Sequence, residues 1–98
     1  MNEHEIVKKF FSKINETSTK AGVEYTISTI ASEGGYEQIF VSKSYFDDEG
    51  ELLDSEDVIL ILPEFKILIA NLSGFSLQFN YSNEKQLESI LSKLIYYL

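Results

Sequence analysis

The chain has 98 residues, including 16 aspartates and glutamates but only 8 basic residues, and its formal net charge is -8. The length fits a single domain, residues 1–98, and 44% hydrophobic residues with one proline are typical of a globular chain. All basic residues are lysine and the excess carboxylates repel polyanions, so we expect binding to neither nucleic acids nor membranes. Because the chain has no cysteine, disulfides, zinc–thiolate sites and thiol nucleophiles are excluded.

The N-terminal segment is predicted to be a helix that begins near Asn2 or Glu3 and ends by Gly22. Its apolar residues recur three and four positions apart, which places them on one side of a helix. They are Ile6, Val7, Phe10, Phe11 and Ile14. Charged residues interrupt the segment, so it lacks the continuous apolar stretch of a signal peptide, and no other segment is apolar enough to span a bilayer. We therefore expect a cytoplasmic protein.

Between residues 23 and 81 the hydrophobic periodicity changes to two, which predicts β-strands. The predicted strands are residues 23–31, residues 36–46, a strand that ends with residues 58–62, residues 66–72 and residues 75–81. Short turns containing glycine or proline separate them. Because successive strands joined by short turns form hairpins, we expect an antiparallel meander of about five strands.

The C-terminal segment is predicted to be a second helix, capped at its start by Ser82 or Asn83. Its apolar residues form an unbroken helical pattern. They are Leu87, Ile90, Leu91, Leu94, Ile95 and Leu98. Of Tyr96 and Tyr97, we expect one at the edge of this apolar side and the other in solvent. The predicted fold class is α+β, with an N-terminal helix, an antiparallel meander and a C-terminal helix packed on the sheet.

Two of the predicted strands are apolar at every position, residues 58–62 and residues 67–70. This pattern indicates strands whose two faces are both shielded from water. If both helices pack on one face of the sheet, the other face remains partly apolar. Three alternatives stay open for that face: cover by a helix, a curled sheet or the acidic loop, homodimerisation, and a site for a partner or ligand.

Seven of the sixteen carboxylates fall within the eleven residues from Asp47 to Asp57. They are Asp47, Asp48, Glu49, Glu51, Asp54, Glu56 and Asp57. A calcium loop of the helix-loop-helix type is not favoured, because aligning Gly50 with its required glycine puts Tyr45 where the first ligand belongs. We therefore predict no metal site.

Two interpretations of this acidic region remain. The first is a solvated hairpin connection, with residues 47–50 as the turn and charges that prevent aggregation through strand edges. The second is a docking surface for a basic protein, whose approach the clustered negative charge would steer. Tyr45, Phe46, Leu52 and Leu53 lie beside the acids and would supply the apolar contacts of such a surface.

The sequence offers little for catalysis. Its one histidine, His4, lies at the start of the first helix and is expected on the surface. No glycine-rich loop opens a helix, so no phosphate-binding loop is predicted. We expect a protein that is not an enzyme and that carries no cofactor.

These observations favour a small protein inhibitor. A single acidic domain without catalytic residues resembles, in general character only, the proteins that neutralise basic nucleases and other nucleic-acid enzymes. The leading hypothesis is an immunity protein that binds a cognate bacterial toxin, in the most concrete case a nuclease, and covers its basic active-site cleft. The predicted contact residues are Tyr45, Phe46, Asp47, Asp48, Glu49, Glu51, Asp54, Glu56 and Asp57.

Two alternatives accompany this hypothesis. One is a phage protein that mimics DNA and blocks a host nucleic-acid enzyme, which requires a row of carboxylates spaced like phosphates. The other is a dimeric structural or chaperone-like protein that uses an apolar sheet face. Chaperones of secreted effectors are similarly small, acidic α+β proteins, but they dimerise through a helix between strands that this sequence lacks.

Overall fold

A computed structural model describes residues 1–31 and 33–98 of the chain. Two α-helices flank five strands, and two short 3-10 turns, Thr19–Ala21 and Pro63–Phe65, connect elements. The elements are α1 (Glu3–Ser18), β1 (Val23–Ala31), β2 (Glu37–Phe46), β3 (Leu52–Leu62), β4 (Ile67–Leu72), β5 (Phe75–Asn80) and α2 (Glu84–Leu94). The predicted α+β architecture is confirmed.

The five strands form one antiparallel sheet in the order β1-β2-β3-β4-β5, so each strand pairs with its sequence neighbour. The pairing of β1 with β2 is regular over its whole length, from Val23 opposite Tyr45 to Ala31 opposite Glu37. The pairing of β2 with β3 shifts after Val41, where Val58 becomes an extra residue on β3. Bulges of this kind increase the local twist of a sheet.

Asparagine side chains cap both helices. Asn2 Oδ1 accepts a hydrogen bond from the Glu5 N–H (3.1 Å), and Asn83 Oδ1 accepts one from the Gln86 N–H (2.9 Å). These contacts satisfy backbone donors that have no partner within the helix. Asn83 is one of the two caps predicted for the second helix, and Asn2 is one of the two positions near which the first helix was predicted to begin.

The end of α2 differs from the prediction. The helix ends at Leu94, although the apolar pattern continues to Leu98. Tyr96 and Tyr97 are both exposed, at 87% and 74%, so the expected edge contact of one tyrosine is absent. After Leu94 the chain continues as a tight turn, in which the Tyr97 N–H donates to the Leu94 carbonyl (2.8 Å). Leu98 stays against the core, where its main-chain oxygen accepts a hydrogen bond from Lys43 Nζ.

Both helices pack on the same face of the sheet. Their buried side chains share one hydrophobic core with buried residues of β1 to β4 and with Tyr81, the residue after β5. Phe79 of β5 packs against this core and is partly buried. The buried core residues are Ile6, Val7, Phe11, Tyr25, Ile39, Val41, Val58, Ile59, Ile61, Leu68, Ala70, Tyr81, Leu87, Leu91 and Leu94. The apolar residues of the opposite face do not belong to this core and are half-buried or exposed, because neither helix packs on that face.

Polar contacts at its two ends hold α1 diagonally across the sheet. At the first turn, the buried carboxylate of Glu3 accepts hydrogen bonds from Lys66 Nζ (3.0 Å) and the Tyr81 hydroxyl (2.9 Å), which adjoin β4 and β5. Near the other end, Asn15 hydrogen bonds to the backbone of Tyr25 in β1. The Glu3 side chain is only 4% exposed, and its charge lies at the helix terminus where the helix dipole favours an anion.

Gly22 joins α1 to the sheet in a conformation that other residues rarely adopt. Its φ is 81°, and its carbonyl accepts a hydrogen bond from the Phe46 N–H (2.8 Å) at the end of β2. A Cβ atom at this position would lie 2.7 Å from the Phe46 carbonyl oxygen, too close for an unstrained contact. The junction therefore requires glycine both for its backbone angle and for its space.

We expect Gly22→Ala to lower the free energy of unfolding by at least about 2 kcal/mol, because it adds steric conflict to the left-handed backbone. Gly74→Ala is the matched control: its φ is 84°, but no atom lies within 4 Å of the added Cβ. The control should lose only about 1 kcal/mol. Urea unfolding of both variants measures the difference, and equal losses would contradict the contact with Phe46.

A second prediction concerns high pH. Burial, the hydrogen bond to Glu3 and the negative charge of Glu3 raise the pKa of Tyr81 well above its ordinary value of 10.0. Above about pH 10 the unfolded chain loses this proton while the folded protein keeps it, so the contribution of Tyr81 to stability decreases as pH rises. For this one group, the free energy of unfolding falls by about 1.4 kcal/mol per pH unit in this range.

Urea unfolding between about pH 8 and pH 11 tests this expectation. Tyr81→Phe should show a shallower loss of stability with rising pH than the wild type, whereas Tyr96→Phe, at an exposed position, should follow the wild type. Parallel curves for Tyr81→Phe and the wild type would show that Tyr81 ionises equally easily in both states.

Candidate functional site

The acidic hairpin, residues 45–57, comprises the end of β2, a tight turn and the first half of β3. Residues 47–51 form the whole connection, because β3 already begins at Leu52. Asp54, Glu56 and Asp57 therefore lie within a strand and not in a long loop, which corrects the expectation of a loop extending to residue 57. The seven predicted carboxylates are nevertheless neighbours on one hairpin.

Asp47 organises the turn. Its Oδ1 accepts hydrogen bonds from the N–H groups of Glu49 and Glu51, both at 2.9 Å. Its backbone N–H donates to the Glu51 carbonyl (2.9 Å), and its carbonyl accepts from the Gly50 N–H (3.0 Å). An aspartate that hydrogen bonds to the backbone after it is a common way to stabilise a turn. This carboxylate is therefore occupied within the protein.

Three carboxylates at the tip remain available to a partner. Asp48, Glu49 and Glu51 are exposed, and their side chains form neither a hydrogen bond nor an ion pair with any residue that the structure describes. Lys20 lines the shallow depression beside the turn, but its ammonium group is not within 4.0 Å of a hairpin carboxylate. Among the described residues, no cation therefore forms an ion pair with the carboxylates at the tip.

The strand carboxylates divide between the two faces of the sheet. Asp54 and Glu56 pair with Tyr45 and Lys43 of β2 and lie on the side of the helices. Asp57 pairs with Ser42 on the other side and accepts a hydrogen bond of 2.7 Å from its hydroxyl. Alternation along a strand imposes this separation. The structure therefore does not collect all the predicted carboxylates on one face.

Lys43 is the cation nearest to the strand carboxylates, and it is engaged internally. Its Nζ lies 5.0 Å from the centre of the Tyr45 ring and donates a hydrogen bond to the Leu98 carbonyl. Burial lowers the pKa of Lys43, but its interactions with two neighbouring tyrosines and with Glu56 outweigh burial and raise the pKa above its ordinary value. Lys43 therefore stays charged at neutral pH and offsets part of the charge of Glu56.

The predicted aromatic contacts do not form one cluster. Tyr45 lies on the helix side, where its hydroxyl donates to Glu56 Oε1 (3.3 Å), and Phe46, the next residue in the strand, points to the opposite face. Both rings are half-buried. Leu52 and Leu53, in contrast, are 59% and 66% exposed beside the acidic turn. These two leucines are the more accessible apolar contacts of the hairpin.

Two side-chain contacts of α1 have no counterpart in the sequence analysis. Asn15 reaches the outer edge of β1, although its position in the sequence indicated only the fading end of a helix. The sequence indicated Glu3 only as a possible helix start, but its buried carboxylate accepts hydrogen bonds from Lys66 and Tyr81. No periodicity signals such contacts, because each joins residues that are distant in sequence.

In the ranges 1–31 and 33–98, no group of three or more histidine, aspartate or glutamate side chains is arranged to hold a metal ion, and no helix has the length and hydropathy to cross a membrane. His4 Nδ1 lies 3.9 Å from Glu5 Oε1 on the surface of α1.

Comparisons with family models, with curated proteins and with solved structures give no match.

The different roles of the carboxylates are testable without a partner. We expect Asp47→Ala to lower the free energy of unfolding by about 1 kcal/mol, because two backbone donors of the turn lose their acceptor. Glu49→Ala should change stability by less than about 0.5 kcal/mol, since its side chain is exposed and forms no hydrogen bond or ion pair with a described residue. Thermal and urea unfolding of the two variants measure both effects, and equal stabilities would contradict the assigned role of Asp47.

Proposed function

We propose that this protein is a non-catalytic inhibitor that binds a basic protein partner through the acidic hairpin. In its most concrete form it is an immunity protein that neutralises a bacterial toxin, such as a nuclease, by covering a basic active-site cleft. The observation that supports the proposal is the exposed tip of Asp48, Glu49 and Glu51, which forms no ion pair with any described residue and adjoins two exposed leucines.

Electrostatics explain why such a tip suits a basic cleft. Like charges held close together repel one another, and a partner rich in lysine and arginine relieves that repulsion while its approach is accelerated by the field. Outside residues 47–57 the chain has nine carboxylates and eight lysines, so the excess charge is concentrated on the hairpin. Leu52 and Leu53 would add the desolvated contacts that convert encounter into a stable complex.

A second candidate function uses the sheet face opposite the helices. Phe40, Leu60 and Ile69 are neighbours in register across three adjacent strands, and all three are half-buried with no helix over them. Contiguous apolar surface of this kind is typical of protein contact sites. This feature supports the alternative of a dimeric structural or chaperone-like protein.

A DNA mimic receives less support from the geometry. Such a protein needs a row of carboxylates along one rigid face, comparable to the phosphates of a DNA strand. In β3, Asp54 and Glu56 lie on one face and Asp57 on the other, because the side chains alternate. The internal bonds of Asp47 and Asp57 further reduce the number of carboxylates that are available.

The test is affinity capture with four versions of the full chain as bait, using a lysate of cells that naturally produce it. The hairpin variant carries Asp48→Asn, Glu49→Gln and Glu51→Gln. The charge-matched control neutralises three exposed carboxylates elsewhere, with Glu16→Gln, Glu64→Gln and Glu88→Gln. The third variant, Phe40→Ser, tests the sheet face.

We expect the wild type, the charge-matched control and Phe40→Ser to recover the same basic protein at one-to-one stoichiometry. The hairpin variant should bind the purified partner at least about tenfold more slowly, with a weaker dependence on salt. Inhibition of the partner's activity by the wild type would complete the test. An unchanged association rate and salt dependence for the hairpin variant would refute the proposal, and loss of capture by Phe40→Ser alone would favour the sheet face.

A further inference from the structure

The outer edge of β1 has unusual properties for an exposed strand. The order of the sheet makes β1 and β5 its two edge strands. From Ile27 to Ala31, β1 contains no charged residue and no proline, and its pairing with β2 has no bulge. Natural edge strands usually carry a charged residue, a proline or a bulge, because each of these prevents pairing with another chain. This segment has none of them.

Two hydrogen bonds establish which backbone groups of β1 point away from the sheet. The Tyr25 N–H donates to Asn15 Oδ1 (2.9 Å) and the Tyr25 carbonyl accepts from Asn15 Nδ2 (2.8 Å), so both groups face the open edge. The Gly22 carbonyl faces inward, since it accepts from the Phe46 N–H (2.8 Å). Backbone direction alternates along a regular antiparallel strand, so residues 27, 29 and 31 point outward, as Tyr25 does.

Asn15 acts at Tyr25 as a neighbouring strand would. Its side-chain amide makes the same pair of N–H and C=O contacts that a residue in an antiparallel strand exchanges with its partner. The helix supplies this substitute at one position only, because α1 runs diagonally away toward Lys66 and Tyr81. Within the described ranges, no side chain or loop backbone group makes an equivalent pair of bonds to Ile27 or Thr29.

We propose that residues 27–31 pair with the same segment of a second copy of this chain, antiparallel and about a two-fold axis at Thr29. In this register Thr29 faces Thr29 of the partner subunit, and Ile27 faces Ala31 of the partner subunit. The outward N–H and C=O groups then match and form about six backbone hydrogen bonds. The two sheets become continuous, and the contact at Tyr25 marks where strand pairing stops.

A second copy fits this edge because the segment is complementary to itself. Every side chain from residue 27 to residue 31 is uncharged, so the pairing opposes no like charges. Ile30, which is 53% exposed, gains cover from the added strand. The acidic hairpin lies at the Val23 end of β1, roughly 20 Å along the strand from Thr29, and the antiparallel arrangement places the two hairpins at opposite ends.

Sedimentation equilibrium of the full chain from about 10 μM to about 1 mM tests the proposal, since an interface of this small size gives weak association. Proline at Thr29 removes only an outward N–H and leaves the bonds to β2 intact. We expect Thr29→Pro to lower the dimer association constant at least about tenfold. Thr29→Lys, which keeps the N–H but brings two ammonium groups together, should weaken the dimer as well.

Two control variants separate this edge from the other apolar surfaces. Gln78→Pro makes the same change on β5, where Gln78 also points outward because the Tyr81 N–H donates inward to the Lys66 carbonyl (3.1 Å). Phe40→Ser alters the sheet face. Both should dimerise like the wild type. A dimer lost in either control but kept in Thr29→Pro and Thr29→Lys would overturn the proposal.

Hydrogen exchange measured by NMR gives an independent readout. The amides of Ile27, Thr29 and Ala31 should exchange quickly in dilute solution and more slowly at high concentration, whereas the Tyr25 amide should be protected at both. A wild type that remains monomeric at about 1 mM, with no change in these three amides, would refute pairing at this edge. The proposed function is independent of this result, because the hairpin variant should dimerise normally.

Discussion

The packing of both helices on one face of a five-stranded meander is the constraint on which the rest of the molecule depends. One hydrophobic core lies between the helices and that face, and it contains the fully buried side chains of both helices. The contacts of Glu3 and Asn15 hold α1 diagonally, so it covers the β1 edge only near Tyr25. The opposite face, the rest of that edge and the acidic hairpin remain outside this core.

The hairpin shows how a charged segment is kept in strand geometry. Four of the eleven residues of β3, residues 54–57, are polar, and cross-strand contacts such as those of Ser42 with Asp57 and Ser44 with Ser55 (3.1 Å) hold this part of the strand. Asp47 stabilises the turn, whereas the side chains of the carboxylates at the tip form no hydrogen bond or ion pair with the residues that the structure describes. The same cluster therefore contains residues with a structural role and residues that are free to bind. Total negative charge alone does not distinguish the two.

The sequence predicted the elements well where local signals are strong. The boundaries of β1 agree with the periodicity, and Asn2 and Asn83 cap the helices because their side chains satisfy neighbouring N–H groups. It missed the start of β3 at Leu52, since residues 54–57 are all polar and leave no apolar alternation between the two leucines at the start of the strand and Val58. It also extended α2 to Leu98, because an apolar pattern does not show where the chain leaves the helix.

For the candidate site, the sequence by itself determined that seven carboxylates cluster near one turn and that nearly all the excess charge lies there, since both are properties of consecutive residues. Only the tertiary structure decided which carboxylates are free, which face each strand residue occupies and which strand edge remains open. The physical reason is that hydrogen bonds such as Asn15 to Tyr25, or Glu3 to Tyr81, join residues far apart in sequence. Their partners are chosen by the packing of α1 across the sheet, which no local pattern encodes.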